Sequence, residues 1–417
     1  MCAPLPRNTQ EDLVTVQFEL VDRRGDSRSI EARAGDTVAQ TLLRSFIPPL
    51  TVYVESAGRP LADNRRLADG QRYVAHLIEG YDLGSIRSLY LQDVEADDDA
   101  AYVKQRLVFT DDGKLRLEQT SLSLADTAGL VEQTILSTIR RFRLVGPDDV
   151  LVIALSGGVD SGSLMLALGA LLEGGELPFR VIAATFQDFD SGHTDALSRA
   201  AGLAARFGVP HELVPEDVAR SVFHLDRPLR QVLPALMETE DAHQTMYVDH
   251  HTTRRTLEVF AAEQGTNRIA LGLHTSDLLA GLLNAQASGY RYGALPLRQV
   301  GDFRYIFPLA FVPKKELDLY YLHAMGAIPA QSPPNPWEFN PLDRNFYYYL
   351  ADFMQSMWPG VEHWMLTSPS LADDAKIGYV TCGNCGGALD PQGRDWTPGN
   401  FCDVCSLLAR YGYVQGV

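Results

Sequence analysis

The residues best suited to chemistry lie in one short stretch near the middle of the chain. Five apolar residues precede it and a long apolar segment follows it, and the stretch itself reads Ser156, Gly157, Gly158, Val159, Asp160 and Ser161. This order predicts a buried strand, a tight turn and the start of a helix. Glycines let the backbone approach an anion closely, and the first N–H groups of a helix point at it. With two hydroxyl donors and a carboxylate able to hold Mg²⁺, the stretch predicts a polyphosphate site.

The stretch differs from a Walker loop, because no Gly-Lys-Ser/Thr follows the glycines and the turn contains no lysine. The string SGGVDS instead resembles the pyrophosphate loop of the N-type ATP pyrophosphatases, the PP-loop superfamily. The resemblance implies that the loop holds the pyrophosphate of ATP while AMP passes to a carbonyl or carboxyl oxygen. It also implies Mg²⁺ at the site and a catalytic role for Asp160. The alternative is a glycine-rich turn without a ligand.

The segments around the loop alternate between strand and helix patterns. Buried strands are predicted at 151–155, 179–189 and 211–215, with amphipathic helical segments between them. Such alternation predicts an α/β fold with a doubly wound parallel sheet, whose ligands bind at the carboxyl ends of the strands. The superfamily resemblance then implies that the adenosine of ATP lies near Ala184 and Phe186.

Four of the five cysteines form two Cys-x-x-Cys pairs with sixteen residues between them: Cys382, Cys385, Cys402 and Cys405. Each pair can place two thiolates on one tetrahedral ion, and the spacing matches a four-cysteine zinc ribbon. Because the sequence shows no sign of secretion, zinc is favoured over two disulfides. All four ligand positions are filled, so we expect Zn²⁺ in a structural role.

The N-terminal segment 13–82 shows the element order ββαβ…β, with a helix expected to begin at Asp36 or Thr37. The order and the strings GDTVAQTLL and LADGQRYVAHL resemble the β-grasp, or ubiquitin-like, fold of small sulfur-carrier proteins. A free carrier needs a C-terminal Gly-Gly carboxylate, but this segment continues into the chain through residues 79–82. It therefore cannot carry sulfur in that way. Docking of a partner protein and simple packing are the two interpretations.

These patterns divide the chain into five parts. They are a disordered tail at 1–12, the β-grasp domain at 13–82, a linker with a β-hairpin at 83–125, the PP-loop domain at 126–375 and the zinc ribbon at 376–417. We therefore expect an α/β PP-loop domain preceded by a small β-grasp domain and followed by a zinc ribbon.

The stretch 249–296 carries a closer resemblance, to the tRNA 2-thiolation enzymes. In that family a C-x-x-C precedes paired arginines, a helix, a strand and the motif G-H-N-x-D-D. Arg254 and Arg255 match the arginines, and Gly272 and Asp277 match the first and last members of the motif. The C-terminal ribbon also resembles that family, so about 290 residues fit its layout.

The chain departs from this family at the positions that carry its sulfur chemistry. Tyr247 and His250 stand where the family has cysteines, and Leu273 and Ser276 stand where it has His and the first Asp. In the family those cysteines bind an iron–sulfur cluster or carry persulfide. Without them the core has no soft ligand for iron and no sulfur nucleophile. We therefore expect no iron–sulfur cluster, and thiolation only with a sulfur donor from outside the chain.

His250 and Arg254 are the remaining catalytic candidates. A histidine near neutral pH can deprotonate a nucleophile, and an arginine can bind a phosphate or a carboxylate. The alternative is a capped helix start on the surface. His274 and Asp277 are expected to line the ATP site, against the alternative of a simple strand-end turn.

Two further groups have a functional and a structural interpretation. Lys314 and Lys315 could reach a phosphate, although a solvated helix start at Pro313 is favoured. The aromatic residues of 346–353, near Arg344, could stack on a nucleobase, although helical spacing favours a place in the core.

Composition limits the class of protein. The chain is 46% hydrophobic and 21% charged, as in ordinary globular proteins, and it contains no apolar run of bilayer length. We therefore expect a cytoplasmic protein without membrane contact. A net charge of −17 repels phosphate backbones, so binding of RNA would need a local basic patch. This charge disfavours tRNA as a partner, and the family resemblance implies a homodimer.

The sequence thus predicts an ATP-dependent enzyme that adenylates a carbonyl or carboxyl oxygen for displacement by a nucleophile. It is related to the tRNA 2-thiolation enzymes but lacks their core cysteines. One alternative is an amide- or nitrile-forming enzyme, similar to 7-cyano-7-deazaguanine synthase, acting on a small molecule or a protein. The second alternative is a nucleotide-binding docking scaffold. The substrate, whether tRNA, small molecule or protein, stays open.

Overall fold

The structure is a computed structural model of the 417-residue chain. It describes residues 16–21, 25–45, 47, 49–77, 100–109, 113, 115–186, 194–288, 292–329, 346–368, 378–389 and 399–415. The chain divides into two compact units, Met1–Asp93 and Val94–Val417. The predicted tail at 1–12, the acidic residues 95–99 and Arg344 lie outside the described residues.

Unit 1 is a five-stranded sheet with one helix. Its strands are β1 (Gln17–Val21), β2 (Ser27–Ile30), β3 (Val52–Ser56), β4 (Arg59–Leu61) and β5 (Arg72–Leu77), and its helix is α1 (Val38–Arg44). The strand order is β2-β1-β5-β3-β4, with β1 and β5 parallel and the other pairs antiparallel. The helix and four of the strands agree with the predicted order ββαβ…β, whereas β4 lies where a Gly-Arg-Pro turn was expected.

Local chemistry explains the helix of unit 1. Thr37 caps α1 by accepting a hydrogen bond from the Gln40 backbone N–H, and the Gln40 side-chain oxygen accepts one from the Thr37 backbone N–H. This capping box satisfies two N–H groups that the helix cannot pair itself. Alternate residues of the central strands, such as Phe18 and Tyr73, are buried in a core of their own.

Unit 2 begins with an antiparallel hairpin of β6 (Tyr102–Phe109) and β7 (Leu115–Leu122), followed by helix α2 (Leu124–Phe142). The hairpin lies where it was predicted, although residues 110–112 of its turn are outside the described part. Helix α2 begins two residues before the expected Asp126. Its cap is Ser123, whose Oγ accepts the Asp126 backbone N–H at 3.1 Å.

The main sheet of unit 2 has six strands. They are β8 (Val150–Ala154), β9 (Arg180–Phe186), β10 (His211–Val214), β11 (Arg268–Ala270), β12 (Leu297–Val300) and β13 (Phe303–Ile306). The order is β10-β9-β8-β11-β13-β12, and every neighbouring pair is parallel except β12 with β13. The predicted parallel α/β sheet is therefore confirmed.

Nine helices of the described residues accompany this sheet after α2. They are α3 (Val159–Glu173), α4 (Thr194–Arg206), α5 (Glu216–Phe223), α6 (Leu229–Met237), α7 (Thr245–Glu263), α8 (Thr275–Ser288), α9 (Lys314–Met325), α10 (Phe346–Met357) and α11 (Val361–Leu366). Helix α3 is apolar on all sides and largely buried, as expected of a helix inside a large core. Within the described residues, no helix is both long and apolar enough to cross a membrane.

The order of the strands determines where a ligand can bind. From β8 the chain continues to β9 and β10 on one side, and then crosses to β11 and β13 on the other. The carboxyl ends of β8 and β11 therefore form the switch point of the sheet, where a crevice opens in folds of this kind. The loop 156–161 follows β8 at this point.

The four cysteines lie within or beside the last elements of the chain. They are β14 (Val380–Thr381), β15 (Ala388–Leu389) and α12 (Asp403–Arg410). The cysteines share one buried cluster with apolar side chains of α5, α6 and α7, among them Phe223, Leu233 and Val248. The cysteine segment therefore packs on the helices of unit 2.

Candidate functional site

The loop after β8 is held in shape by its own hydroxyls and glycines. The Ser156 backbone N–H donates to Ser161 Oγ at 3.1 Å, and the two hydroxyl oxygens lie 2.9 Å apart. Gly157 has a φ of 77°, and a Cβ there would lie 2.0 Å from the carbonyl oxygen of Ala196. Gly158 is the N-cap of α3 and offers no side chain to cap it. The first N–H groups of α3 can therefore donate to an anion.

The segment after β11 forms the opposite wall. A Cβ on Gly272 would lie 2.8 Å from the Ser161 backbone nitrogen. Only glycine therefore allows the segment after β11 to approach the first turn of α3 this closely. Asp277, in the first turn of α8, accepts hydrogen bonds from the His274 backbone N–H at 2.9 Å and from the Tyr348 hydroxyl. These contacts fix the carboxylate at the switch point.

A cavity of about 560 Å³, here termed the loop cavity, lies between these walls. Six of the predicted site residues line it: Ser156, Asp160, Ser161, His250, Gly272 and Asp277. Tyr247, Tyr347 and Tyr348 add aromatic surface. A cavity of this size, lined by carboxylates, hydroxyls and an imidazole as well as apolar side chains, suits a polar small-molecule ligand.

Other predicted residues lie outside the lining. Gly157, Gly158 and Val159 belong to the loop, but Val159 packs against the hydrophobic core. Ala184 is 1% exposed within the core, and Phe186 packs against the same core cluster. Neither residue lines the loop cavity, so the adenosine position expected near them stays a prediction.

His274 and Arg254 also point away from the loop cavity. His274 is 4% exposed, and its Nε2 lies 3.4 Å from Asp277 Oδ2, so it supports that carboxylate from behind. Arg254 lies one helical turn after His250 on α7, but its Nη2 lies 3.2 Å from His251 Nδ1 and it does not line the loop cavity. The structure therefore separates the histidine and the arginine that the sequence analysis grouped.

Lys314 is the cation that the loop itself lacks. Its Nζ lies 2.6 Å from Asp160 Oδ1 and 2.9 Å from Asp318 Oδ1. Burial alone would lower the pKa of Lys314, but its contacts with the two carboxylates raise it, so the side chain is charged at neutral pH. The interpretation as a solvated residue at a helix start therefore fits Lys315 and not Lys314. The Nζ of Lys315 lies 5.5 Å from the ring centre of Tyr102.

Helix packing brings Lys314 to the loop. Ser163 Oγ of α3 donates to the Leu317 carbonyl of α9 at 3.4 Å. Gly162 leaves room for the Tyr321 ring, which a Cβ would meet at 2.9 Å. Because 154 residues separate Lys314 from Asp160, no local pattern in the sequence could predict this contact.

The four cysteines form one buried cluster. Their sulfur atoms all lie within 4.8 Å of one another, and those of Cys385 and Cys402 are 4.0 Å apart. Four thiolates at bonds of about 2.3 Å from one tetrahedral ion would be separated by about 3.8 Å. The four residues therefore fit a metal centre.

Helix α7 adds a histidine to the edge of this cluster. His251 Nε2 lies 3.5 Å from Cys402 Sγ and 3.8 Å from Cys385 Sγ. The guanidinium of Arg254 can only donate, so His251 Nδ1 accepts from it and Nε2 carries the ring proton. His251 is therefore oriented to donate to the thiolates. Beside it, Arg255 Nε donates to the Cys385 carbonyl at 2.7 Å.

Consecutive histidines thus serve two sites. His250 lines the loop cavity together with Tyr247, whereas His251 and Arg255 contact the cysteine cluster. Helix α7 is therefore a common wall of the two sites. His251 could not be assigned from the sequence, because nothing in it locates the cysteine ribbon against α7.

Comparison with known proteins shows sequence similarity over less than half of the chain. A tRNA-cytidine(32) 2-sulfurtransferase of Neisseria meningitidis serogroup C is 29% identical over 185 residues, 44% of this chain and 53% of the relative. The same enzyme of an Anaeromyxobacter species is 29% identical over 43% of this chain and 56% of the relative. The chain spans about half the length of the curated relatives it matches. No protein-family model matches the chain.

A solved structure, the U34-tRNA thiolase NcsA from Methanococcus maripaludis with its [4Fe-4S] cluster, superposes with a TM-score of 0.51. The match has 17% sequence identity and covers 69% of this chain and 90% of that one. The fold resembles that of the PP-loop ATPases. The PP-loop resemblance drawn from SGGVDS is confirmed at the level of the fold.

These relatives correct the predicted function. The expected function was an adenylating enzyme that does not thiolate by the family's own route, with a carbon–nitrogen ligase and a docking scaffold as alternatives. The curated relatives are named sulfurtransferases, and the PP-loop structure above is named a thiolase. The prediction is therefore wrong in setting sulfur transfer aside, because it relied on two missing cysteines in a core that otherwise keeps the layout.

The expectation that the chain binds no iron–sulfur cluster is also contradicted. The expectation rested only on the absence of cysteines from the core sequence. The structure gathers four cysteines against α7, and a solved protein with a similar fold carries a [4Fe-4S] cluster. Four thiolates are the ligand set of such clusters as well as of zinc. The assignment of the cysteine cluster to structural zinc alone is withdrawn.

Proposed function

We propose that the protein is an ATP-dependent sulfurtransferase that replaces a carbonyl oxygen of a tRNA base by sulfur. The observation that carries the proposal is a PP-loop cavity at the sheet's switch point, in a chain whose curated relatives are tRNA sulfurtransferases. A tRNA substrate also supports a cytoplasmic location.

The chemistry explains why such an enzyme needs a nucleotide loop. A carbonyl oxygen of a base is a poor leaving group. Transfer of AMP from ATP to that oxygen releases pyrophosphate and turns the oxygen into part of a good leaving group. Hydrosulfide then attacks the carbon, AMP departs with the oxygen, and the remaining S–H proton is lost. The product keeps a C=S bond in place of C=O.

We propose that the loop residues stabilise the departing pyrophosphate. The first N–H groups of α3 and the Lys314 ammonium supply positive charge where negative charge develops, and Asp160 and Asp277 are the carboxylates that would hold Mg²⁺. Preorganised donors of this kind each lower a barrier by about 3 kcal/mol.

His250 and Tyr247 of α7 line the loop cavity together with the loop. We propose that His250 takes the proton of the sulfur nucleophile, since a neutral imidazole can accept it near pH 7. No cysteine lines the loop cavity among the described residues, so the sulfur is supplied by a donor that enters it.

The occupant of the cysteine cluster is part of the proposal. Its four thiolates would hold either one Zn²⁺ or an iron–sulfur cluster. Metal and acid-labile sulfide analysis of the purified protein distinguishes the two.

We further propose that residues 13–82 are a β-grasp domain that docks a partner protein. The support is a mixed five-stranded sheet with a parallel central pair and one capped helix. A sulfur donor would be a suitable partner for such a domain.

The test is sulfur transfer to bulk tRNA by the purified protein, kept without oxygen, with MgATP and sulfide. Digested tRNA is examined by mass spectrometry for thiolated nucleosides, with and without ATP. We expect thiolation only with ATP, and a fall of at least about 100-fold in Asp160→Asn. Asp318→Asn is the matched control, because Asp318 contacts Lys314 without lining the loop cavity.

Two results would contradict the proposal. One is a folded, metal-loaded protein that makes no thiolated nucleoside above the ATP-free level. The other is release of pyrophosphate that is indifferent to tRNA, which would indicate another substrate.

A further inference from the structure

Helix α2 ends in a cluster of positive charge on an acidic protein. Arg140 and Arg141 in its last turn and Arg143 at its C-cap are exposed, although the chain carries a net charge of −17. The partial negative charge at a helix C-terminus attracts cations and explains one such residue. It does not explain the aromatic groups that lie beside these three.

A continuous row of rings extends from this helix end to the surface. The ring centres of Phe142 and Phe311 are 5.7 Å apart, those of Phe311 and His363 are 5.3 Å apart, and those of His363 and Trp364 are 6.4 Å apart. Trp364, at the end of the row, is 74% exposed. A large aromatic side chain left this open to water commonly marks a binding surface.

Arg141 joins the charges to the rings. Its guanidinium lies 5.4 Å from the ring centre of Phe142, and its Nη2 lies 3.5 Å from His363 Nε2. Burial and the charge of Arg141 both lower the pKa of His363, so the imidazole is neutral and adds no charge of its own. We name Arg140, Arg141, Phe142, Arg143, His363 and Trp364 the basic–aromatic surface.

The charges of this surface are only partly neutralised. Arg140 pairs with Glu176 at 2.6 Å. In the part of the chain that the structure describes, Arg141 and Arg143 have no carboxylate at ion-pair distance. The neighbouring Glu362 accepts a hydrogen bond from the Gly360 backbone N–H at 3.0 Å. A net positive surface therefore remains.

We propose that the basic–aromatic surface binds the RNA substrate, with Arg141 and Arg143 on phosphates and Trp364 stacked on an unpaired base. Arginine with exposed aromatic rings is the combination that binds single-stranded nucleic acid, since every base presents a stacking face. On a molecule with a charge of −17 the surface is also the local basic patch that RNA binding requires.

The surface is connected to the loop cavity through the fold. Phe311 of the ring row lies three residues before Lys314, which contacts Asp160. Helix α11, which carries His363 and Trp364, packs against α8, which carries Asp277. A tRNA is much larger than the loop cavity, so an enzyme acting on one base needs backbone contacts elsewhere on the same unit. The inference rests on the proposed function.

The test measures binding of bulk tRNA by the full-length protein over a range of salt concentrations. Arg141→Glu/Arg143→Glu is expected to raise Kd at least about tenfold near physiological salt and to lower the salt slope by about two. Trp364→Ala is expected to raise Kd about fivefold or more with the slope unchanged. Arg227→Glu/Arg230→Glu is the matched control, because it reverses two exposed charges elsewhere in unit 2.

Binding of MgATP is measured for every variant and is expected to be unchanged, which shows that unit 2 is folded. If wild type binds tRNA and both surface variants bind it equally well, the inference is overturned and the surface belongs to a protein partner. An equal loss in the control pair also overturns it, because the effect is then one of net charge. If wild type itself neither binds nor thiolates tRNA, the proposed function fails instead.

Discussion

Single glycines determine whether the loop can form at all. Gly157 combines a positive φ with a neighbour, the Ala196 carbonyl oxygen, that a Cβ would meet at 2.0 Å. We expect Gly157→Ala to weaken MgATP binding at least about tenfold, because either the loop or α4 must move. Calorimetric titration with MgATP checks this.

Gly202→Ala is the control for this substitution. Gly202 lies on α4, like Ala196, but it has an ordinary φ and no atom within 4 Å of its Cβ position. Alanine in a helix interior should raise stability by about 0.5–1 kcal/mol and leave binding unchanged. Equal binding by both alanine variants would mean that the loop is not the nucleotide site.

His251 is expected to help the cysteine cluster hold its metal. Its Nε2–H points at Cys402 and Cys385, and side chains that donate to ligands in this way typically change metal affinity about tenfold or more. We therefore expect His251→Phe to release metal to a chelator about tenfold faster. Elemental analysis during chelation measures the rate, whichever metal is bound.

The neighbouring residue provides the comparison for His251→Phe. His250 lines the loop cavity on the other face of α7, so His250→Phe should leave metal release unchanged and lower sulfur transfer. The reverse pattern would show that the two histidines have been assigned to the wrong sites.

The residues of the site differ in how far sequence could predict them. SGGVDS, Gly272, Asp277 and the four cysteines could be identified from local motifs. Lys314 could not be assigned, because its contact with Asp160 depends on the packing of α9 against α3. The function was predicted wrongly because Tyr247 and His250, which replace two cysteines, were interpreted as the loss of sulfur chemistry. Both residues line the loop cavity, where that chemistry would take place.

At the level of elements, Thr185 joins three strands directly beneath the loop. Its single hydroxyl proton goes to the Leu155 carbonyl at 2.6 Å, so the 2.8 Å contact with His211 Nε2 is one in which the ring donates. Burial lowers the pKa of His211, which favours the neutral ring with its proton on Nε2. The network ties the start of the loop to β9 and β10.

Thr185→Val removes this network at nearly constant volume. The substitution leaves the Leu155 carbonyl and the His211 ring N–H without their hydrogen-bond partner. The free energy of unfolding should therefore fall by about 1–3 kcal/mol. Urea denaturation measures the change. The exposed Thr120→Val in the hairpin should change stability by less than about 0.5 kcal/mol, and a similar loss in both variants would refute the argument.

Elements with a strong local pattern were predicted well. The apolar run of β8, the alternating hairpin of β6 and β7 and the capped α1 follow directly from their sequences. The antiparallel pair of β12 and β13 was not predicted, because its short strands have mixed burial and no clear period. Likewise, α2 begins at Leu124, because the Ser123 hydroxyl caps its first turn.

At the scale of the whole molecule, the cysteine cluster is part of unit 2, which also contains the loop cavity. Its sulfurs share one buried core with α5, α6 and α7, and α7 carries His250 and Tyr247 on its other face. A metal that holds the four cysteines together therefore also stabilises the wall of the loop cavity. Loss of the metal should therefore weaken MgATP binding in the loop cavity.

Cys405→Ser tests this coupling. Cys405 is fully buried in the cluster, and with a weaker oxygen ligand in its place the metal should be lost. Because metal binding contributes directly to folding free energy, the transition of unit 2 should shift to lower temperature, and MgATP should bind several-fold more weakly. Differential scanning calorimetry and MgATP titration give the two readouts.

Cys2→Ser replaces the one cysteine outside the cluster and should change neither readout. Metal loss in Cys405→Ser with unchanged unfolding and unchanged MgATP binding would mean that the cluster is an independent ribbon, as the sequence boundary at residue 376 implied. Metal loss with both readouts lowered would mean that α7 transmits the state of the cluster to the cavity. In that case His250 and His251, as neighbours on α7, couple metal binding at the cysteine cluster to MgATP binding in the loop cavity.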